Sequence, residues 1–277
     1  MRIHDIALEG ADGHRWTLIG HAPAVPRAVL LWLPAMGVAA RHYLPFAEAL
    51  AGHGIAAFLH EWRGHGRSSV RAARGNNWGY RELLEQDIPR SEREAFSRFG
   101  VPRLIGGHSV GGQLAACRLA LSPHDAARLW LVASSAPFPE AFTGSVGLGL
   151  PIALRLAPVL SDLFGYWPGR RLGFGGREAR GVMRDWAGTG RARGYRVESL
   201  GRDLDPLLAK VVVPVDAIAL AKDGFAPEAA LRALLAKLGG RADVQRMDAA
   251  MLGTAADHFS WLNQPTSVAN ALASRLP

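Results

Sequence analysis

The 277-residue chain carries one cysteine, Cys117, so no disulfide can form within it. Such sparse cysteine fits a reducing compartment. The opening, MRIHDIALEG, holds no apolar stretch of the length a signal peptide needs, and a cytoplasmic protein is the expectation. A clean apolar run of ~20 residues, as a membrane span requires, is also missing. The nearest approach, GSVGLGLPIALRLAPVL at 144–160, is interrupted by Pro151, Arg155 and Pro158. No zinc-finger spacing or aromatic nucleic-acid motif accompanies the basic residues, which argues against a nucleic-acid partner. Internal repeats and low-complexity tails are absent as well.

Acidic residues are in short supply. Against 32 Lys and Arg there are 24 Asp and Glu, a net charge of +8. The imbalance is local. Between Arg155 and Arg202 stand ten arginines and no lysine, opposed only by Asp162, Glu178, Asp185 and Glu198, a balance of +6. The plain interpretation is a solvated arginine-rich face. The sharper one is attraction of an anionic substrate or an acidic partner.

What is present is apolar surface. With 49% apolar residues the chain can bury a substantial core, as one large domain or as a core with an insertion. RIHDIALE and HRWTLIGH flank GADG and predict a hairpin. RAVLLWLP (27–34) and IAAFLHE (55–61) have the continuous apolar character of strands buried on both faces. YLPFAEALAGHG (43–54) has helical spacing and a glycine stop. An amphipathic stretch over 80–99 precedes RLIGG, a helix over 113–121 and a strand in ARLWLVASS (127–135). Residues 136–206 then lose any sustained period. From about 211 the alternation returns as VVVPVDAIALA, PEAALRALLAKLG, ADVQRMDA and QPTSVANALASRL. Alternating strands and helices predict an α/β fold with a mostly parallel sheet and helices on both faces. The expected organisation is a core of 1–135 and 207–277 with 136–206 inserted as a cap.

Residues 106–112, GGHSVGG, place one serine between glycine pairs directly after an apolar run. Gly107-His108-Ser109-Val110-Gly111 is G-x-S-x-G where a strand should hand over to a helix, the context in which that motif carries meaning. Small neighbours relieve the crowding of so sharp a turn, and the following helix aims its first amides at the hydroxyl. An ordinary Gly-rich turn is the alternative.

A serine hydroxyl needs a base. His108 lies inside the turn, His65 in RGHGRS and His53 at a helix end, whereas His258 in AADHFSW follows the last strand. Loops after parallel strands gather at one sheet edge, above the turn, so His258 is the preferred base. The imidazole needs an acceptor in its turn. Asp223 in ALAKDGFAP ends a strand at that edge; Asp216 begins the same strand, and Asp257 adjoins His258 too closely to turn back on it. The chain order Ser109…Asp223…His258 differs from the chymotrypsin and subtilisin orders. The backbone N–H groups of Val110 and of Met36, in LPAMG, are the expected oxyanion donors.

Together LPAMG, HEWRGHGRS, GGHSVGG, AKDGFAP and DHFSW resemble the landmarks of the α/β-hydrolase superfamily, in family order over residues 30–261. GYWPGRRLGFGG and GVMRDWAGTGRARGY are similar to a bacterial branch of predicted serine hydrolases. The resemblance implies an eight-stranded, mainly parallel sheet and no metal or organic cofactor. The sequence departs from the family at Pro34-Ala35, where His-Gly is usual, at Lys222, where that branch often has an acid, and at Glu61, where Asp is commoner.

The expected activity is hydrolysis of a carboxylic ester or thioester through an acyl-enzyme, with a small-molecule substrate as partner. Leu148, Ile152, Phe164 and Trp167 are candidates to shelter an acyl chain, or else only to hold the cap on the core; Arg170 and Arg171 are candidates to meet an anionic group. Acyl transfer, peptidase or amidase action would use the same residues. A non-catalytic binding protein with a basic docking face is the remaining alternative.

Overall fold

The computed structural model describes residues 2–123 and 125–276. Its centre is an eight-stranded sheet built from β1 (Arg2–Glu9), β2 (Arg15–Ala22), β3 (Ala28–Leu33), β4 (Ile55–Leu59), β5 (Arg103–His108), β6 (Arg128–Val132), β7 (Val215–Leu220) and β8 (Ala242–Met247). The strands lie in the order β1-β2-β4-β3-β5-β6-β7-β8. The expected hairpin forms β1 and β2, and β2 runs antiparallel to β4. Every pairing from β4 to β8 is parallel.

Side chains alternate across a strand, so each central strand feeds two cores. In β3, Val29, Leu31 and Leu33 point to one face, and Leu30 and Trp32 to the other. The helices α1 (Leu44–Gly52) and α7 (Thr266–Ala273) cover the Trp32 face through Phe46, Leu50, Val268 and Leu272. The opposite face is covered by α2 (Ile88–Phe96), α3 (Val110–Leu121) and α6 (Glu228–Leu235). Ahead of α2 the chain widens at Leu83–Asp87, where the Ile88 N–H reaches back to the Leu83 carbonyl. Pro89 follows and has no N–H to continue the ladder.

The block 136–206 is more regular than its composition predicts. It contains a 21-residue helix, α4 (Gly144–Phe164), and α5 (Arg180–Ala192), with two short ribbons pairing Trp167–Pro168 with Arg177–Glu178 and Arg196–Val197 with Arg202–Asp203. Prolines 151 and 158, which read as breaks in the sequence, lie inside α4. Pro158 cannot bond the Leu154 carbonyl four residues back; the Arg191 guanidinium of α5 donates to that oxygen at 2.6 Å instead. By length and composition alone α4 is long and apolar enough to cross a membrane, which the sequence reading did not anticipate. It packs against α5, and its outer face bears Leu148, Ile152, Val159 and Leu163.

Candidate active site

Ser109 stands between β5 and α3 with φ 57° and ψ −125°, a backbone that a non-glycine residue adopts only under constraint. The Ser109 amide donates to the Val132 carbonyl of the neighbouring strand at 3.1 Å. The turn is too tight for larger neighbours. A Cβ on Gly111 would lie 2.1 Å from the Leu33 carbonyl oxygen.

His258 and Asp223 are brought to this serine by the loops after β8 and β7. His258 Nε2 is 2.9 Å from Ser109 Oγ and His258 Nδ1 is 2.7 Å from Asp223 Oδ2. The other Asp223 oxygen accepts the amides of Phe225 (2.9 Å) and Ala226 (2.8 Å), so the buried carboxylate has hydrogen-bond partners on both oxygens. The rejected acids lie elsewhere. Asp216 accepts from Arg128 and Trp130 at the other end of β7. Asp257 caps its own turn through the amides of Phe259 and Ser260.

Met36 lines a cleft of about 160 Å³ together with Ser109 and His258. Val110 opens α3, so its N–H has no partner within the helix. The loop carrying Met36 is held from two sides. Trp62 Nε1 donates to the Pro34 carbonyl at 2.9 Å, and the Ala35 amide donates to the Tyr43 hydroxyl at 2.9 Å. Tyr43 in turn lies 2.8 Å from His108 Nδ1. His108 is fully buried, and burial pushes its pKa well below the ordinary histidine value, with the neighbouring His258 adding in the same sense. It is therefore a neutral spacer whose ring packs 4.7 Å from that of His258. Glu61, unusual for the family, binds the amides of Ala40 and Arg67 and ties the Met36 loop to the turn after β4.

Beside Ser109 opens an apolar cavity of about 460 Å³, walled by Phe142, Leu150, Ile152, Leu160, Trp167 and Trp186 among others. Of the candidates for sheltering an acyl chain, Trp167 is buried in this wall and Ile152 belongs to it with 59% of its surface exposed. Leu148 and Phe164 do not line it and are 80% and 52% exposed. Arg170 and Arg171 line a separate polar cavity. Sequence reasoning missed Tyr43, Phe142, Phe174, Trp186 and the flanking rings Phe225 and Phe259, because isolated aromatic residues carry no local signature of a shared wall. It also missed His65 and Glu178, a buried pair at 3.0 Å joining the loop after β4 to the 136–206 block. Among the described residues no cluster of three His, Cys, Asp or Glu side chains is placed to hold a metal ion.

A sheet of this order, with a serine turn after β5 and an acid and a histidine after β7 and β8, defines an α/β hydrolase. Residues 24–172, more than half of the chain, match the family model described as serine aminopeptidase, S33, and the chain belongs to that family. No curated protein matches it in sequence. Similar solved structures include the α/β hydrolase GrgF from Penicillium sp. sh18, at 16% identity and a TM-score of 0.65, covering 99% of this chain and 97% of that one. A hydrolase from Pseudomonas aeruginosa PA01 is 22% identical with a TM-score of 0.58, over 98% and 97% of the two chains. The thioesterase domain from the curacin biosynthetic pathway is 18% identical with a TM-score of 0.62, over 99% of each chain. At such identities the likeness is one of fold.

Proposed function

We propose that the protein is a serine hydrolase that cleaves a carboxylic ester or thioester through an acyl-enzyme. The observation that carries this reading is the continuous Asp223–His258–Ser109 hydrogen-bond chain at the mouth of an apolar cavity. Ser109 Oγ attacks the acyl carbon while His258 Nε2 takes the hydroxyl proton. Asp223 holds the Nδ1–H tautomer and stabilises the imidazolium. The amides of Met36 and Val110 receive the oxyanion. As the tetrahedral intermediate collapses, His258 returns its proton to the leaving oxygen or sulfur. Water then attacks the acyl-enzyme by the same steps and releases the acid. On this reading residues 136–206 form a cap over a core of 1–135 and 207–277, and the cavity takes the acyl chain.

The family description favours a second reading, an aminopeptidase. A free α-amino group calls for a carboxylate beside the scissile bond. Neither cavity lined by Ser109 has an Asp or Glu in its wall, so the ester or thioester reading is preferred. Acyl transfer differs only in the acceptor. A fluorophosphonate probe tests the reading: it should label the wild type at Ser109 and leave Ser109→Ala unlabelled. A folded wild type that does not react would make this a binding protein. Esters, thioesters and aminoacyl amides of matched size then separate the two enzyme readings.

A further inference from the structure

Five arginines drawn from three distant stretches of the chain converge on one cavity. Arg41, Arg71, Arg170, Arg171 and Arg177 line a polar basin of about 590 Å³, with His42 and His65 in the same wall and no acidic residue. Two of the five are tethered to neutral groups. Arg71 donates to the carbonyls of Gly66, Ser68 and Val70. Arg177 donates to the Ala72 carbonyl at 2.6 Å and stacks 3.9 Å over the Tyr166 ring. Among the described residues the side chains of Arg41, Arg170 and Arg171 make no hydrogen bond or ion pair, and none of the five guanidinium groups meets a carboxylate within 4 Å. The nearby Glu178 is committed to His65 and the Gly176 amide. Elsewhere in the 136–206 block Arg184 pairs with Asp162, Arg193 with Glu140 and Arg196 with Asp203, whereas Arg155, Arg180 and Arg191 donate singly to the carbonyls of Pro151, Arg74 and Leu154. What distinguishes the basin is that five arginines without a carboxylate partner share one wall.

The basin adjoins the reacting centre and is distinct from the apolar cavity, with which it shares no lining residue. The small cleft at Met36, Ser109 and His258 includes Gly37, which also lines the basin. A shallow groove containing Gly37, Val38, Phe259, Arg41 and His42 connects the two along the surface. The partition between them is bare backbone. Gly37 has φ +79°, and a Cβ there would lie 2.4 Å from the Gly176 amide nitrogen. With the acyl chain in the apolar cavity, the leaving group departs past His258, which protonates it, and so along this cleft.

We propose that the basin receives a phosphate group carried by the leaving group, so that the substrate is the acyl ester or thioester of a phosphorylated alcohol or thiol. This rests on the serine-hydrolase reading above and adds the leaving-group class to it. Guanidinium forks match the tetrahedral oxygens of phosphate, and a dianion engages several at once, where one carboxylate satisfies about one. The five side chains are exposed, so each contact is weak alone and the effect comes from their convergence.

The test uses three thioesters with one octanoyl chain and leaving groups built on the same six-carbon chain: 6-mercaptohexanol, 6-mercaptohexanoate and 6-mercaptohexyl phosphate. The expected result is a kcat/KM for the phosphate on the order of 10-fold above the neutral substrate at low salt, exceeding that for the carboxylate and collapsing with added salt. In the variant Arg41→Gln/Arg170→Gln/Arg171→Gln the phosphate-to-neutral ratio should fall to about 1. A wild-type ratio near 1, or a ratio that survives the triple substitution, overturns the proposal. Equal preference for carboxylate and phosphate overturns the phosphate assignment. Should no thioester turn over and no fluorophosphonate label appear, the hydrolase reading is what has failed, and the basin is then judged by calorimetry with inorganic pyrophosphate on Ser109→Ala protein. Salt-sensitive binding that the triple substitution abolishes upholds a phosphate site, and no binding removes it.

Discussion

The Tyr43 hydroxyl bridges the two halves of the proposed oxyanion site, accepting the Ala35 amide at 2.9 Å and lying 2.8 Å from His108 Nδ1. One buried phenol therefore sets the Met36 loop at a fixed height over the serine turn. Having accepted from Ala35, the hydroxyl has its own proton for the imidazole, which burial keeps neutral.

Tyr43→Phe removes that bridge and keeps the ring. A buried amide and a buried ring nitrogen lose their partner, at a cost of about 1–3 kcal/mol in unfolding free energy. The Met36 amide is left less well aimed at an oxyanion, so kcat should fall more than KM rises. Chemical denaturation and steady-state kinetics on one preparation check both. A variant as stable as wild type with unchanged kcat would remove Tyr43 from this role.

Asp223→Asn should leave the protein folded and lower kcat by about 10⁴-fold, the size of effect that the wrong imidazole tautomer has in a serine protease. Asp216→Asn and Asp257→Asn should leave kcat near wild type, because those carboxylates serve Arg128, Trp130 and a local turn. Parallel kinetics of the three variants decide the assignment of the acid.

The buried His65–Glu178 pair gives the protein a pH-dependent clasp. Burial alone would lower the His65 pKa, but the carboxylate of Glu178, assisted by Glu61 and opposed by Arg71, holds it above the ordinary 6.5. Burial alone would raise that of Glu178, but His65 and the Gly176 amide hold it below the ordinary 4.5. The histidine's contribution is complete below 6.5 and is lost as pH rises through its folded value; the glutamate's is complete above 4.5 and is lost as pH falls through its folded value. The gap in melting temperature between wild type and His65→Gln should therefore be widest between pH 4.5 and 6.5 and shrink by pH 9. A gap independent of pH would mean that the pair is not ionised.

Ala153 lines the apolar cavity from α4. Ala153→Trp should shorten the acyl chain the enzyme accepts. Each buried methylene is worth about 0.8 kcal/mol, so wild-type kcat/KM should climb up to ~4-fold per added carbon until the cavity is full. In the variant the climb should stop several carbons earlier, with acetyl esters little changed. Superimposable chain-length profiles would place the acyl group elsewhere.

The parallel sheet was legible in the sequence because apolar runs such as AVLLWL are buried on both faces and are local facts of composition. So was the serine turn, since its glycines answer to a steric demand within a few residues. The base and acid could be ranked because loops that follow parallel strands share one edge. The helix α4 was not legible, for a physical reason: prolines 151 and 158 read as breaks, and the group that satisfies the freed Leu154 carbonyl, Arg191, lies 37 residues away.

Charge shows the same division. Composition alone established that residues 155–202 carry excess positive charge. Which arginines keep it was settled by folding, which gave Arg184, Arg193 and Arg196 acidic partners and brought Arg170, Arg171 and Arg177 beside Arg41 and Arg71. Tyr43 and His108, 65 positions apart, meet for the same reason. Periodicity and turn chemistry act over a few residues and are written in the sequence. Pairing between distant side chains depends on how the packed elements are set against one another, and only the tertiary structure decides it.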